Sequence, residues 1–442
     1  MVNQDLLQHY CKLPSIDALT KRMVEDLADE RSTVLLVPDG ILVEPIWRVL
    51  QAHLWKTGLT SHEVLLPEVN STEPASSVLC SALPVQWRSN EDAHILDNLA
   101  KASGLPEVIL LGDLEKLSGD RVREWMRGIH QWARVWQQSP PETGRKSALC
   151  AIMPASYVVG QPLERDALLT IHWWWSLPSN LEMRLLCRQM NGSDPSKPDS
   201  YWREHVLAGV AGDDVTLIDY LWDKPFSLLS DLMASLRAFG EQRGWTPEKL
   251  TNWGARRFLL ENPGVNQQAL ARPPATYQQL WAHGATVSTS EHGIELHPAA
   301  LALLDEEYGL RHQVWRGQSE LLMPVLDRAR LALCAHFTNH YGAEWPLYDP
   351  PVREEDYYAV QTSPLACEWN HLRHLVKHCS AMSGERQWEK LIDLGWNLRN
   401  DMAHFRPVNV VQYDMICRYL NEMVATLQRE YGERKEPGRA RL

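Results

Sequence analysis

The apolar residues follow two rhythms, and one gives way to the other near residue 180. Ahead of that point, short unbroken apolar runs fall at 33–37, 63–66, 107–115, 148–153 and 168–173. They are too short for packed helices and lack the alternation of a sheet with one wet face. Each therefore predicts a strand covered on both sides. Between them, helical spacing predicts helices within 1–30, where Leu6, Leu7, Leu19, Met23 and Leu27 are apolar, and at 44–55, 91–102 and 121–137. Pro38-Asp39-Gly40 marks a turn, and 68–78 and 139–144 read as loops. Strands alternating with helices specify an α/β domain with a parallel sheet clad on both faces.

Beyond residue 180 the spacing is helical, at 181–190, 201–210, 214–222, 226–240 and 247–260, with Leu228, Leu229, Leu232, Leu236 and Phe239 on one face. Asn262-Pro263-Gly264 and Arg272-Pro273-Pro274 punctuate the region. A helix followed by a hairpin at 286–296 is compatible with a small winged-helix module; its acids and lack of Lys or Arg favour packing over DNA binding. Leu321, Leu322, Val325, Leu326 and Ala329 then open a long helix running to about Tyr341. After a Pro- and acid-rich loop at 342–356 come helices at 365–382 and 386–404. A last helix is capped by Asn409, with Ile416, Tyr419, Leu420, Met423 and Leu427 on one side. Four such helices predict an up-and-down bundle. The expected division is 1–180, α/β; 181–275, helical; 276–316, helix plus hairpin; 317–433, bundle; and 434–442, a polar tail.

Composition narrows the function. A net charge of −12 over 442 residues argues against broad, sequence-blind binding to nucleic acid while leaving room for a local basic cleft. The eight cysteines are scattered without a Cys-x-x-Cys pair, which fits a reduced, cytoplasmic protein. No signal peptide and no apolar stretch long enough to span a membrane is evident.

The chemistry concentrates near the C-terminus, in Arg399, Asn400 and His404. Cutting RNA without a metal needs a proton carrier active near neutral pH and a cation for the phosphorane; histidine and arginine suit those tasks. Five residues apart on a helix, the two side chains diverge by roughly 140°. One copy therefore cannot surround a phosphate, whereas two copies across a two-fold axis can. Pro407 places His404 near a helix end, whose partial negative charge favours imidazolium. This Arg-Asn-x3-His arrangement in a helical setting resembles the signature of the HEPN superfamily, small helical domains that often cut RNA without a metal. The resemblance implies a homodimer through the bundle, with Arg399, Asn400 and His404 catalytic. It also implies a place in prokaryotic defence or a toxin system, with protein partners from the same operon. The same pattern arises by chance in many helices, and the family includes non-catalytic members.

Arg373, Lys377, His378 and Arg406 add positive charge suited to an RNA backbone, though a solvated helix face accounts for them somewhat better. Cys367, His371, His374, His378 and Cys379 lack the short paired spacing of a zinc site, so no metal and no cofactor are expected.

In the α/β part, an apolar strand ending in Asp113 with Glu115 close behind resembles the Walker B strand of a P-loop ATPase of the AAA or STAND kind. The first turn departs from that family: it reads Val37-Pro38-Asp39-Gly40-Ile41-Leu42-Val43-Glu44, and no Gly-Lys-Ser/Thr occurs in the chain. Without the lysine and its cradle of backbone N–H groups a triphosphate loses most of its electrostatic support, so ATP hydrolysis is not expected. Two functions emerge: a metal-independent endoribonuclease with an N-terminal sensor domain, or a non-catalytic scaffold or adaptor in a multi-protein defence complex.

Overall fold

The computed structural model describes residues 4–66, 78–79, 82–83, 105–138, 146–159, 168–174, 178–192, 201–224, 228–261, 277–289 and 293–434; the expected helix at 91–102 and the tail lie outside them. Two compact units emerge, one formed by Met1–Met190, Ala211–Asp223 and Ser235–Asp305, the other by Asn191–Val210, Lys224–Ala234 and Glu306–Leu442. The stretch read from sequence as one helical region is thus shared between them.

The first unit is built on five parallel strands, β1 (Ser32–Val37), β2 (Ser61–Leu65), β3 (Val108–Gly112), β4 (Ala148–Pro154) and β5 (Leu169–Trp173), in the order β2-β3-β4-β1-β5. Thr33 of β1 lies opposite Cys150 on one side and Thr170 on the other. β1, β3 and β4 are buried along their whole length, as their unbroken apolar runs require. β2 and β5 are the two edges, and Thr170 and His172 of β5 are correspondingly only half-buried. Around the sheet, Val43–Thr57 ends on Gly58 in the left-handed conformation, a common helix stop. Gly119–Gln138 drives Trp125 and Trp132 into the core, and Trp132 Nε1 donates to the Ser147 carbonyl at 2.8 Å.

The expected hairpin is present as antiparallel β6 (Thr286–Thr289) and β7 (Gly293–Leu296), preceded by the short helix Gln278–Ala282. Buried His297 follows it and caps the next helix, Pro298–Leu303, by accepting from the Ala299 N–H.

The second unit is helical. Its axis is Glu307–Tyr341, which begins well ahead of Gln318, where the sequence places its start. Leu322, Val325, Leu326, Ala329, Leu333 and Phe337 form its buried stripe. Small residues permit a close crossing near its start: a Cβ on Gly317 would lie 3.1 Å from the Val206 Cα. The expected helix at 365–382 is confined to Trp369–His378, with tight 3-10 turns at Pro364–Ala366 and Ser380–Trp388. Glu389–Ala403 and Val410–Arg434 complete the unit. On the last helix the buried seam is Tyr413, Cys417, Leu420, Val424 and Leu427; Ile416, Tyr419 and Met423 flank it half-buried. No described helix is long and apolar enough to cross a membrane, and all seven described cysteines are free thiols.

Trp369 lies directly over Gly395, where an added Cβ would come within 2.5 Å of the indole ring. Gly395→Ala is therefore expected to lower stability by about 1–3 kcal/mol despite alanine's better helix propensity. Denaturant unfolding measures this, and an unchanged or raised midpoint would contradict the close packing.

Candidate functional site

Among the described residues, the switch point of the sheet in the first unit and the helix end at His404 in the second bear on the residues singled out from sequence. In the first unit the strand order reverses around β1, so the crevice at its carboxyl end is where ligands bind in open α/β sheets. Here the chain fills that position itself. Asp39 N donates to the Ala282 carbonyl at 2.8 Å, and the Asp39 carboxylate accepts from Ser156 Oγ at 2.6 Å and meets His283 Nδ1 at 3.1 Å. Gly284 has φ +66°, and a Cβ there would stand 2.4 Å from the Asp39 carbonyl oxygen. The Arg243 guanidinium covers Gly40 and donates to its carbonyl at 3.4 Å. That guanidinium is itself paired with buried Asp214 at 2.9 Å, bonded to Thr216 Oγ1, and laid over the ring of Phe239. A phosphate arriving at this turn would meet a carboxylate and a cation already neutralised.

Asp113 ends β3 with φ +63° and pairs with Lys116 at 2.6 Å, while Glu115 is exposed. Among the described residues, no hydrogen bond or ion pair joins either acid to the 38–40 turn.

Two adjacent buried acids beside this latch behave oppositely. Burial would raise the Asp214 carboxyl, but Arg243 and the His297 hydrogen bond overcome it and hold the group well below the usual carboxylate range. Asp213 lacks such a cation. Burial, with the neighbouring Asp214 charge, pushes it up to about 7 against the pull of the Ser288 N–H. Burial lowers the His297 imidazole, opposed by Asp214.

In the second unit, Arg399 and Asn400 occupy the last turn of Glu389–Ala403, and His404 is its C-cap. The helix ends in a Schellman arrangement: Arg406 N reaches the Asp401 carbonyl at 2.9 Å and Phe405 N the Met402 carbonyl at 3.3 Å. Phe405 takes the left-handed position, φ +55°, usually held by glycine. Its ring offsets that strain by packing edge-on against Trp315 at 4.6 Å, and Trp315 Nε1 donates to the Met402 carbonyl at 2.9 Å. Fully buried Gln318 holds the chain beyond through two amide bonds to Val408, accepting from its N–H at 2.7 Å and donating to its carbonyl at 2.6 Å. Beside that loop lies an apolar cavity of about 170 Å³, bounded by Pro407, Val408, Val314 and Trp202 among others.

The helix end thus presents Arg399 and His404 exposed and Asn400 half-buried. None of these three side chains has a hydrogen bond or ion pair among the described residues. The flanking cations differ. Arg373 and Lys377 both reach the Asp393 carboxylate, at 2.5 and 2.6 Å, and Arg373 lies 4.4 Å over the Trp396 ring. These two cations hold Asp393 below its usual range although burial opposes them. Arg406 is mostly exposed, 3.9 Å from Asp401, and the His378 ring lies 5.1 Å from that of His374. His371 and His374 go separate ways, to the Pro346 carbonyl and to Asp349. Trp315 and Gln318 escaped the sequence reading because each acts through a backbone group about 90 residues away.

No protein-family model matches this chain, and a search of curated proteins finds no match.

Two measurements follow. Because the folded pKa of Asp213 lies above its unfolded value, the stability tied to its proton is complete below about pH 4 and drains away as pH rises through about 7. Asp213→Asn keeps the oxygen that accepts from Ser288 and cannot ionise. Its unfolding free energy should match the parent's in acid and exceed it by on the order of 4 kcal/mol once pH passes about 7, with its melting temperature rising relative to the parent's over the same range; a pH-independent difference would refute the assignment. Gln318→Ala should lower stability by about 2–3 kcal/mol and speed hydrogen exchange of the Val408 amide. Unaltered exchange there would mean the loop after His404 is held by something else.

Proposed function

We propose that this chain is a metal-independent endoribonuclease of the HEPN type, acting as effector in a prokaryotic defence or toxin system. Its first unit would serve as a sensor or regulatory domain. The observation that carries the reading is the helix end at His404, where an exposed arginine, an asparagine and an exposed histidine have side chains unengaged among the described residues. The partner is RNA, and the working form is a homodimer in which two such helix ends face one groove.

In the reaction, His404 accepts the proton of the ribose 2′-hydroxyl as its oxygen attacks phosphorus. The 5′-oxygen departs and takes a proton from the partner subunit's His404, leaving a 2′,3′-cyclic phosphate and a 5′-hydroxyl. Arg399 donates to the non-bridging oxygens as charge builds on the phosphorane. Asn400 orients His404 or the phosphate by hydrogen bonding. Arg406 and His378 assist the RNA backbone, while Arg373 and Lys377 would do so only after exchanging Asp393 for phosphate.

A second reading, a non-catalytic adaptor that uses the bundle for dimerisation and binds protein partners from the same operon, is favoured by one observation. The turn after β1 is closed on itself by Asp39, His283 and Arg243 rather than left open for a ligand.

Purified chain incubated with labelled tRNA or total RNA, without added magnesium and with EDTA, discriminates the two. Cleavage ending in a cyclic phosphate is expected, and Arg399→Ala and His404→Ala should each reduce it by at least about 100-fold, the range of general acid–base and electrostatic contributions. Both substituted side chains are exposed, so the variants should melt like the parent. Undiminished cutting by either variant would remove the assignment; an inert parent chain would favour the adaptor.

A further inference from the structure

A second cluster in the helical unit has no part in that chemistry and shares no residue with it. His336 and His340 are one turn apart on Glu307–Tyr341, with ring centroids 4.4 Å apart. Glu385 comes from a different element, the 3-10 segment Ser380–Trp388. One of its oxygens lies 3.3 Å from His336 Nε2, the other 3.7 Å from His340 Nδ1. One ligand atom from each of the three residues can be chosen so that all lie within 4.8 Å of one another.

From these positions we infer that His336, His340 and Glu385 bind a divalent cation of the zinc class, with a further coordination position open to solvent. Three arguments support it. Two imidazoles and a carboxylate drawn from two elements form the donor set of three-ligand zinc sites, which leave the fourth position to water. With bonds of about 2.0–2.2 Å, tetrahedral ligands stand about 3.3–3.6 Å apart; the 3.3 Å between His336 Nε2 and one Glu385 oxygen is in that range, while the 3.7 Å to His340 Nδ1 is made by the other oxygen. Turning the partly exposed His340 ring closes the rest, and its exposure gives the ion a way in.

The second argument is electrostatic. Glu385 is only 4% exposed, yet among the described residues its partners are His336, His340 and Tyr341, with no Lys or Arg. Of the other buried carboxylates among the described residues, Asp214 and Asp414 lie near arginines, and Asp213, which has no such partner, is pushed up to about 7. A buried carboxylate needs positive charge or coordination, and an ion held by two imidazoles supplies it. The third argument is the support around the site. Tyr341 Oη donates to Glu385 at 3.1 Å and so orients the carboxylate. The Trp388 ring, edge-on 5.5 Å from that of His336, walls the inner side. A bound ion would pin the long helix to the segment that leads into Glu389–Ala403.

The test uses the full chain, stripped with chelator, exchanged into clean buffer and titrated with zinc chloride by calorimetry. One ion per chain is expected, with a rise in melting temperature. His340→Ala, at an exposed position, and the near-isosteric Glu385→Gln should each weaken zinc binding at least tenfold and abolish that rise, with unchanged circular dichroism. His374→Ala/His378→Ala should bind as the parent does. Cobalt substitution should give the intense visible absorption of four- or five-coordinate ions in the parent and not in His340→Ala. No zinc bound by the parent, undiminished binding by His340→Ala and Glu385→Gln, or loss of binding in the His374/His378 variant would each overturn the site. None of these readouts depends on RNA cleavage, so this site and the nuclease reading fail separately.

Discussion

The helical unit depends on where one helix stops. Glu389–Ala403 could continue on propensity grounds, since only Pro407 forbids it and that residue lies a turn further on. What halts it at His404 is a set of backbone bonds completed from the long helix: the Schellman pair, the Trp315 indole on the Met402 carbonyl, and the Gln318 amide on Val408. Each satisfies a group that a helix terminus would otherwise leave orphaned. Together they fix the exit of the chain, and hence the direction in which Arg399 and His404 face. A phenylalanine in the left-handed position is tolerated because its ring is held between Trp315 and His312.

The α/β unit rests on a comparable constraint made with charge. Burying Asp214 would be prohibitive without Arg243 at 2.9 Å and His297 at 3.0 Å. Once formed, that cluster places the guanidinium over Gly40 and joins the turn after β1 to the helix–hairpin segment, which Asp39 grips through Ala282 and His283. The switch point of the sheet, the natural ligand crevice of this architecture, thereby becomes an internal joint. Asp213, next in sequence but without a cation, bears the electrostatic cost of the arrangement.

How much could be read in advance follows from how local each signal is. All five strands of the sheet were legible because buried parallel strands are written as unbroken apolar runs. The helices were legible in kind, less so in register: the seam of Val410–Arg434 runs through Cys417 and Val424, where larger apolar neighbours drew the sequence reading one position aside. The start of the long helix at Glu307 was missed because Gln313, Gly317 and Gln318 are buried polar or small residues, chosen for close crossing and backbone bonding rather than for hydrophobicity. Arg399, Asn400 and His404 could be named from sequence since they are neighbours in it, but their exposure could not. His336 and His340 show a helical pairing in the sequence, yet Glu385, 45 residues beyond His340, becomes their neighbour only through folding.

The charge pattern of the whole chain sharpens the meaning of the helix end. Acids outnumber Lys and Arg, 56 to 44, so a cation placed at random tends to find a carboxylate. Arg243, Arg330, Arg373 and Lys377 all do. Arg399 does not, although it shares a helix with Asp393 and Asp401 and sits where the helix's own carbonyl ends attract positive charge. Its fork of donors is left facing water, and the exposed His404 imidazole is equally unengaged among the described residues. In a chain of net charge −12, a guanidinium with no carboxylate partner among the described residues is thus the exception to the pattern set by its other cations.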